Sequence, residues 1–235
     1  MPGIGRERVW RQLKAQGVHV GKRRVQRAMQ RHGLRAHGRR RFRVLTTDSH
    51  HALPIAPNLL ARCFTVATPN TVWVGGMTCV ATEQGWLYLA VVLDLFSCRI
   101  VGWSMGATID AELACRAVEM AWQGRVPDKG LIFHSDRGSQ YASGRYTELL
   151  RGHGKEASMS RKGNCWDNAC SETLFGSLKV ERLHSEQFRT HREGKDAVLD
   201  WLLRYNRSRM HSTLGYLSPA QFEQQANAQH HALAA

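Results

Sequence analysis

Between Thr71 and Met105 the chain offers three runs rich in Val, Ile, Leu, Trp and Tyr, with almost nothing between them: Val72 to Val80, Trp86 to Leu95 and Arg99 to Met105. Runs this short and this close read as strands folded back on their neighbours, and Thr82-Glu83-Gln84-Gly85 supplies the first turn. Three antiparallel strands are therefore expected, and later elements must add to that sheet. A tight hairpin centred on Glu83 and Gln84 pairs position 76 with 91 and 73 with 94. Asp94 then faces the opposite side of the sheet from position 76, an inference that a one-residue bulge would reverse.

Downstream, Leu113, Ala117, Met120 and Ala121 give helical spacing to Ile109 to Gln123, followed by a strand at Leu131 to Phe133. A helix over Gly144 to Arg151, a strand near Glu156 to Met159 and a helix bearing Glu172 come next. Lys195 to Tyr205 reads as an amphipathic helix whose Trp201, Leu202 and Tyr205 belong in a core. Ser218 as N-cap and Pro219 at the first helical position open a last short helix. The segment 70–225 is thus one mixed α/β core, and 226–235 is expected to be a disordered tail.

Ahead of it, Val9, Trp10 and Leu13 stripe one short helix that stops at Gly17, and Val25, Ala28 and Met29 stripe a second that stops at Gly33. Residues 1–37 therefore read as a helix-turn-helix, with Lys22, Arg23, Arg24, Arg27 and Arg31 of its second helix turned towards DNA. A protein-docking face is the alternative. Residues 38–69 read as a basic linker with one short helical turn at Asn58 to Arg62. Its Arg39, Arg40 and Arg41 either follow a phosphate backbone or form a solvated charge run.

Charge supports a polyanionic partner. Up to Leu45, fourteen Lys or Arg stand against one acid, Glu7, so nearly all of the net charge of +14 lies in the first fifth of the chain. Six cysteines without Cys-x-x-Cys spacing imply reduced thiols and no zinc site. No signal-peptide core and no apolar run of about eighteen residues is present, so a soluble, cytoplasmic protein is expected.

Two acids stand out in chemical terms. Asp136 follows an apolar strand, and Glu172, with thirty-five residues between them, lies in the first turn of its helix. Carboxylates brought together by folding are the hard ligands that Mg²⁺ or Mn²⁺ prefers. Each alone is equally an ordinary turn or capping residue. Asp167 and Asn168 are expected to cap the helix of Glu172.

The words HSDRGSQY, SMSRKGNCWDNACSETLFGSLKVE and YNRSRMHSTLGYLSPAQF resemble OrfB-type insertion-sequence transposases of the IS-three family, relatives of retroviral integrases in the DDE superfamily. The resemblance runs from about Val9 to Phe222. It implies a ribonuclease-H-like integrase catalytic core, with a mixed sheet flanked by helices, behind a small helix-turn-helix region. It also implies two Mg²⁺ or Mn²⁺ ions on three acids, with DNA cleaved and joined through phosphodiester attack. Asp136 and Glu172 match two of those acids. The first lies in a strand word close to VWVGD, and here Val72-Trp73-Val74-Gly75-Gly76 ends in Gly76. Lys179, seven residues beyond Glu172, is the candidate contact to a DNA end. Further implied partners are transposon ends and target DNA, other copies of the chain in a homo-oligomer, and a protein from an upstream frame. Three functions follow: a transposase with impaired chemistry, a non-catalytic DNA-binding protein that occupies ends or inhibits active subunits, and a nuclease of this fold with a different acid set.

Overall fold

Gly85, at φ +105°, lets the chain reverse straight after Thr82, and that reversal fixes the register of the two longest strands. These are β1 (Val72–Thr82) and β2 (Gly85–Asp94), with Gly76 opposite Val91 and Trp73 opposite Asp94, as a tight hairpin requires. The computed structural model describes residues 5–34, 51–127, 129–162 and 165–234. Strand β3 (Arg99–Gly106) pairs antiparallel with β2 after a turn in which Cys98 is left-handed, and the register slips between Val92 and Leu93.

The chain then crosses the sheet. Helix α3 (Ala111–Arg125) starts where Asp110 accepts the Leu113 amide, and β4 (Ile132–Ser135) returns parallel to β1. Helices α4 (Ser139–Ala142) and α5 (Gly144–Gly152) lead to β5 (Glu156–Met159), parallel to β4. The five strands lie in the order β3-β2-β1-β4-β5.

Alternation along the strands splits the core in two. Trp73, Met77, Ala90 and Val92 pack with Leu113, Ala117 and Val118 of α3 and Tyr146 and Leu150 of α5. On the other face Val80, Leu89, Val91 and Leu93 meet α6 (Ala169–Leu178) and α7 (His191–Arg207), including the expected Trp201, Leu202 and Tyr205. Because β1 is central it is buried on both faces and reads as one apolar run.

At the N-terminus, α1 (Arg6–Ala15) and α2 (Lys22–Arg31) form the expected hairpin, ended by left-handed Gly17 and Gly33. Trp10 Nε1 donates to the Val20 carbonyl across the turn at 2.8 Å.

Three expectations are corrected. Asn58 to Arg62 is not a helical turn: the Asn58 side chain accepts the Ala61 amide, and Ala61 and Arg62 are left-handed. From His51 onward the supposed linker is a strap pinned to the core. Leu59 N donates to Ser158 Oγ, Met159 N donates to the Pro57 carbonyl, and Leu60 is buried with Val72, Val74 and Leu95. Nor is 226–235 disordered through its length, since α8 (Pro219–Ala234) continues to Ala234. Ser218 and Gln221 form a reciprocal capping box, and no Gly or Pro interrupts the Ala- and Gln-rich stretch that follows. Glu223 ties α8 to β3 through Arg99, to the β2–β3 turn through Ser97 and to the end of α3 through Arg125.

Among the described residues Cys63, Cys79, Cys98, Cys115 and Cys170 are free thiols, and no helix is long and apolar enough to cross a membrane.

Candidate active site

Position 76 looks at α6. A Cβ built on Gly76 would lie 2.8 Å from both Ser171 Cβ and Phe175 Cε2, and Glu172 is the next residue after Ser171. Strand β4 runs beside β1 with Val72 level with Ile132 and Val74 level with His134. The same offset carried two residues on sets Asp136, just past the end of β4, level with Gly76. Residues 134 and 136 also share a parity. The wholly buried His134 ring reaches Ser158 Oγ at 2.9 Å and the Asp167 carbonyl at 3.0 Å, at the entry to α6. Positions 76, 136 and 172 thus come from three elements to one end of one sheet face.

Local chemistry fixes these groups. Asp136 Oδ1 accepts the Gly138 amide at 2.8 Å, which orients the carboxylate as the chain leaves β4. Burial lowers the His134 pKa, against the opposing pull of the Asp167 carbonyl and the Asp167 and Asp136 charges. The ring is therefore a neutral brace at pH 7.

Asp94 does not join them. It pairs with Trp73, on the α3 face, and is completely buried, accepting amides from Asn70 at 2.9 Å and Phe96 at 3.0 Å. The register slip belongs to the β2–β3 pairing, so the parity argument stands. Burial raises the Asp94 pKa, and the two amides partly offset it.

The largest surprise is Asp167. Its side chain does not cap α6. It is 1% exposed and accepts from Arg161 N and Nε (both 2.9 Å) and Nη2 (2.8 Å), from Arg62 Nε (3.2 Å) and from Asn58 Nδ2 (2.9 Å). Asn168 occupies the N-cap position without a side-chain bond to the helix backbone, and its Oδ1 instead accepts from Ser171 Oγ at 2.5 Å. The strap and the loop before α6 are thereby tied to one carboxylate. Nothing in local sequence links Arg62 to Asp167, 105 residues away.

The Arg161 hydrogen bonds hold the Asp167 carboxyl well below the usual range, with burial opposing them. Asp167→Ala is expected to cost about 3 kcal/mol in urea unfolding at pH 7. A carboxyl depressed in the fold contributes fully above its unfolded pKa of about 3.9, and that contribution erodes as pH falls. The gap between the natural protein and Asp167→Asn should therefore shrink from pH 7 to pH 3.

The basic residues divide into groups. Arg23, Arg24, Arg27 and Arg31 are exposed on α2, with no ion pair to another described residue. Lys22 is drawn back onto α1, 2.9 Å from the Glu7 carboxylate and 4.5 Å from the Trp10 ring centroid. Arg39, Arg40 and Arg41 lie outside the described residues. Lys179 closes α6 with α-helical dihedrals (φ −59°, ψ −47°) and the cap amides bond back to the Phe175 and Gly176 carbonyls, so it stands seven α-helical residues beyond Glu172 and opens a π turn to Leu183. Its charge acts on Cys79, three residues beyond Gly76 along β1.

Among the described residues no three His, Cys, Asp or Glu side chains group as metal ligands. Mg²⁺ commonly takes one or two carboxylates and completes its shell with water and phosphate oxygens, so Asp136 and Glu172 suit one ion. An arrangement of two ions on three carboxylates does not fit a site with Gly at position 76.

Residues 67–165 and 153–219 match integrase core domain families, and residues 2–42 match an HTH-like domain. The chain is 43% identical to the insertion element IS600 uncharacterized 31 kDa protein of Shigella sonnei, over 94% of this chain and 81% of that protein. It is likewise 43% identical to transposase InsF for insertion sequence IS3A of Escherichia coli K12, over 93% of this chain and 76% of that one. Among solved structures it resembles the simian T-cell lymphotropic virus intasome (TM-score 0.58, 16% identity, 75% of this chain and 60% of that chain). The HTLV-2 integrase catalytic core in complex with magnesium is similar too (TM-score 0.51, 17% identity, 66% of this chain and 96% of that chain). A helix-turn-helix pair ahead of a five-stranded integrase core, with this identity over almost its whole length, means that the chain belongs to the IS3 family of insertion-element transposases.

Proposed function

We propose that this transposase binds transposon ends through α2 and that its strand-transfer chemistry is strongly reduced, because position 76 supplies no carboxylate to the site of Asp136 and Glu172. The observation that carries this reading is the direction of Gly76: it faces α6 beside Glu172 and is level with Asp136. A divalent ion bound there supplies Lewis-acid stabilisation and a more acidic attacking oxygen. Asp136, fixed by the Gly138 amide, and Glu172, fixed by α6, hold one side of that site. Without a carboxylate at 76 the opposite side has no anchor on β1. The end of a DNA strand then lacks the fixed geometry that in-line displacement needs.

A second reading, a DNA-binding protein that occupies ends or joins active subunits without turnover, draws on the four exposed arginines of α2 standing ahead of a site with no carboxylate at position 76. Both readings share DNA binding and, by likeness to the family, assembly into homo-oligomers. Arg23→Gln with Arg27→Gln is expected to lower the affinity for duplex DNA. Each lost contact should also reduce the slope of log K against log salt by about 0.9. Anisotropy titrations with a labelled terminal-repeat duplex check this, and a slope unchanged in the double variant would refute the role of α2.

A further inference from the structure

We propose that the cleft between α1 and α7 is a second phosphate seat, which takes a backbone phosphate of the DNA that this chain binds. The proposal rests on the DNA-binding reading and adds a contact on the side of the hairpin that meets the core.

The cleft is lined by Arg8 and Gln12 of α1, Arg204 of α7, Ser208, Arg209 and Met210 beyond it, and Glu181 of the π turn. Glu181 is buried and accepts from Arg8 Nη1 at 3.2 Å, Arg209 Nε at 3.0 Å and Trp201 Nε1 at 3.1 Å, with Arg204 at 4.0 Å. Among the described residues that line the cleft, three guanidinium groups stand with one carboxylate, an excess of two positive charges. Arg209 is held deepest, its Nη2 also donating to Ser177 Oγ at 2.9 Å. Arg8 and Arg204 keep 32% and 25% of their side chains exposed, so the charge reaches the opening.

The crowding is registered by neighbouring groups. Burial, then Arg209 and Arg8, push His211 down to about 3, so it adds no charge at neutral pH. Burial and then Arg209 lower the Arg8 pKa. A tetrahedral anion relieves such repulsion, and guanidinium forks match phosphate oxygens, with the Gln12 amide as a neutral donor. Arg11, 3.8 Å over the Tyr216 ring, keeps α1 seated beside the cleft.

The test uses the full chain and a labelled duplex of arbitrary sequence, titrated by anisotropy across a salt series. Arg204→Gln and Arg8→Gln should each weaken binding several-fold at low salt and reduce the salt slope by about one, whereas Arg204→Lys should keep the slope. Circular dichroism establishes that each variant is folded, and Arg204→Gln, on the core, carries the test should Arg8→Gln not fold. Seam variants with the natural slope, alongside Arg27→Gln with a reduced one, overturn the seat and leave DNA binding by α2 intact. Natural slopes in all variants overturn the seat together with the reading it rests on.

Discussion

Gly76→Asp is expected to raise Mg²⁺-dependent cleavage of a transposon-end duplex at least about a hundredfold over the natural chain, as restored electrostatic anchoring of a reacting group does elsewhere. The new carboxylate would point from β1 towards α6, beside Glu172 and level with Asp136. The gain comes with a steric cost. Phe175 Cε2, 2.8 Å from the new Cβ, is a ring edge that can swing, but Ser171 Cβ at the same distance moves only with its helix. The variant should therefore lose about 1–3 kcal/mol in urea unfolding, as overpacked cores do. Gly76→Ala carries the same Cβ without the carboxylate, so it should share the destabilisation and show no activity. If Gly76→Asp is too unstable to assay, adding Ser171→Gly removes the fixed contact. A folded Asp variant with no gain in cleavage would mean that the loss of function lies elsewhere.

The second large effect is structural. Gly102→Ala is expected to cost about 3 kcal/mol or more, at the upper end of overpacking penalties. A Cβ on Gly102 would fall 2.2 Å from the Ala117 carbonyl oxygen and 2.8 Å from both Ala121 N and Cβ. These are mostly backbone atoms of α3, so no rotamer change relieves the contact, and β3 and α3 must separate. Gly124, on the same helix, has nothing within 4 Å of its Cβ position. Gly124→Ala should hold or raise stability, by up to about 1 kcal/mol. Denaturant midpoints for the pair decide the matter. A loss below about 1 kcal/mol at 102 would contradict the close helix–strand approach.

Much of this was legible in the sequence because the decisive signals are local. A short loop closed by Gly85 sets the β1–β2 register, and from that register the opposite facing of Gly76 and Asp94 follows by parity alone. The helix-turn-helix was readable from two apolar stripes, each stopped by a glycine. The specific integrase topology came from family words, since spacing gave only a mixed α/β core.

What the sequence hid depends on contacts between distant residues. Asn58 to Arg62 reads as a helical turn within a linker until folding sets Asn58 and Arg62 against Asp167, more than a hundred positions away. Lys22 looks like part of a DNA-facing row, yet Glu7 lies one helix back and takes its amine. A chain end reads as disordered from its position alone, whereas the capping box at Ser218 and Gln221 and the anchor of Glu223 let α8 run to Ala234.

The central claim is that Asp136 and Glu172 form an assembled site that lacks one ligand. Cleavage and joining of a labelled transposon-end duplex, measured with Mg²⁺ and with Mn²⁺ for the natural chain beside Asp136→Ala, tests it most directly. The account predicts that both proteins bind the duplex and that neither turns it over above background. Turnover by the natural chain that disappears in Asp136→Ala would contradict it, because another group would then be supplying the ligand that Gly76 lacks.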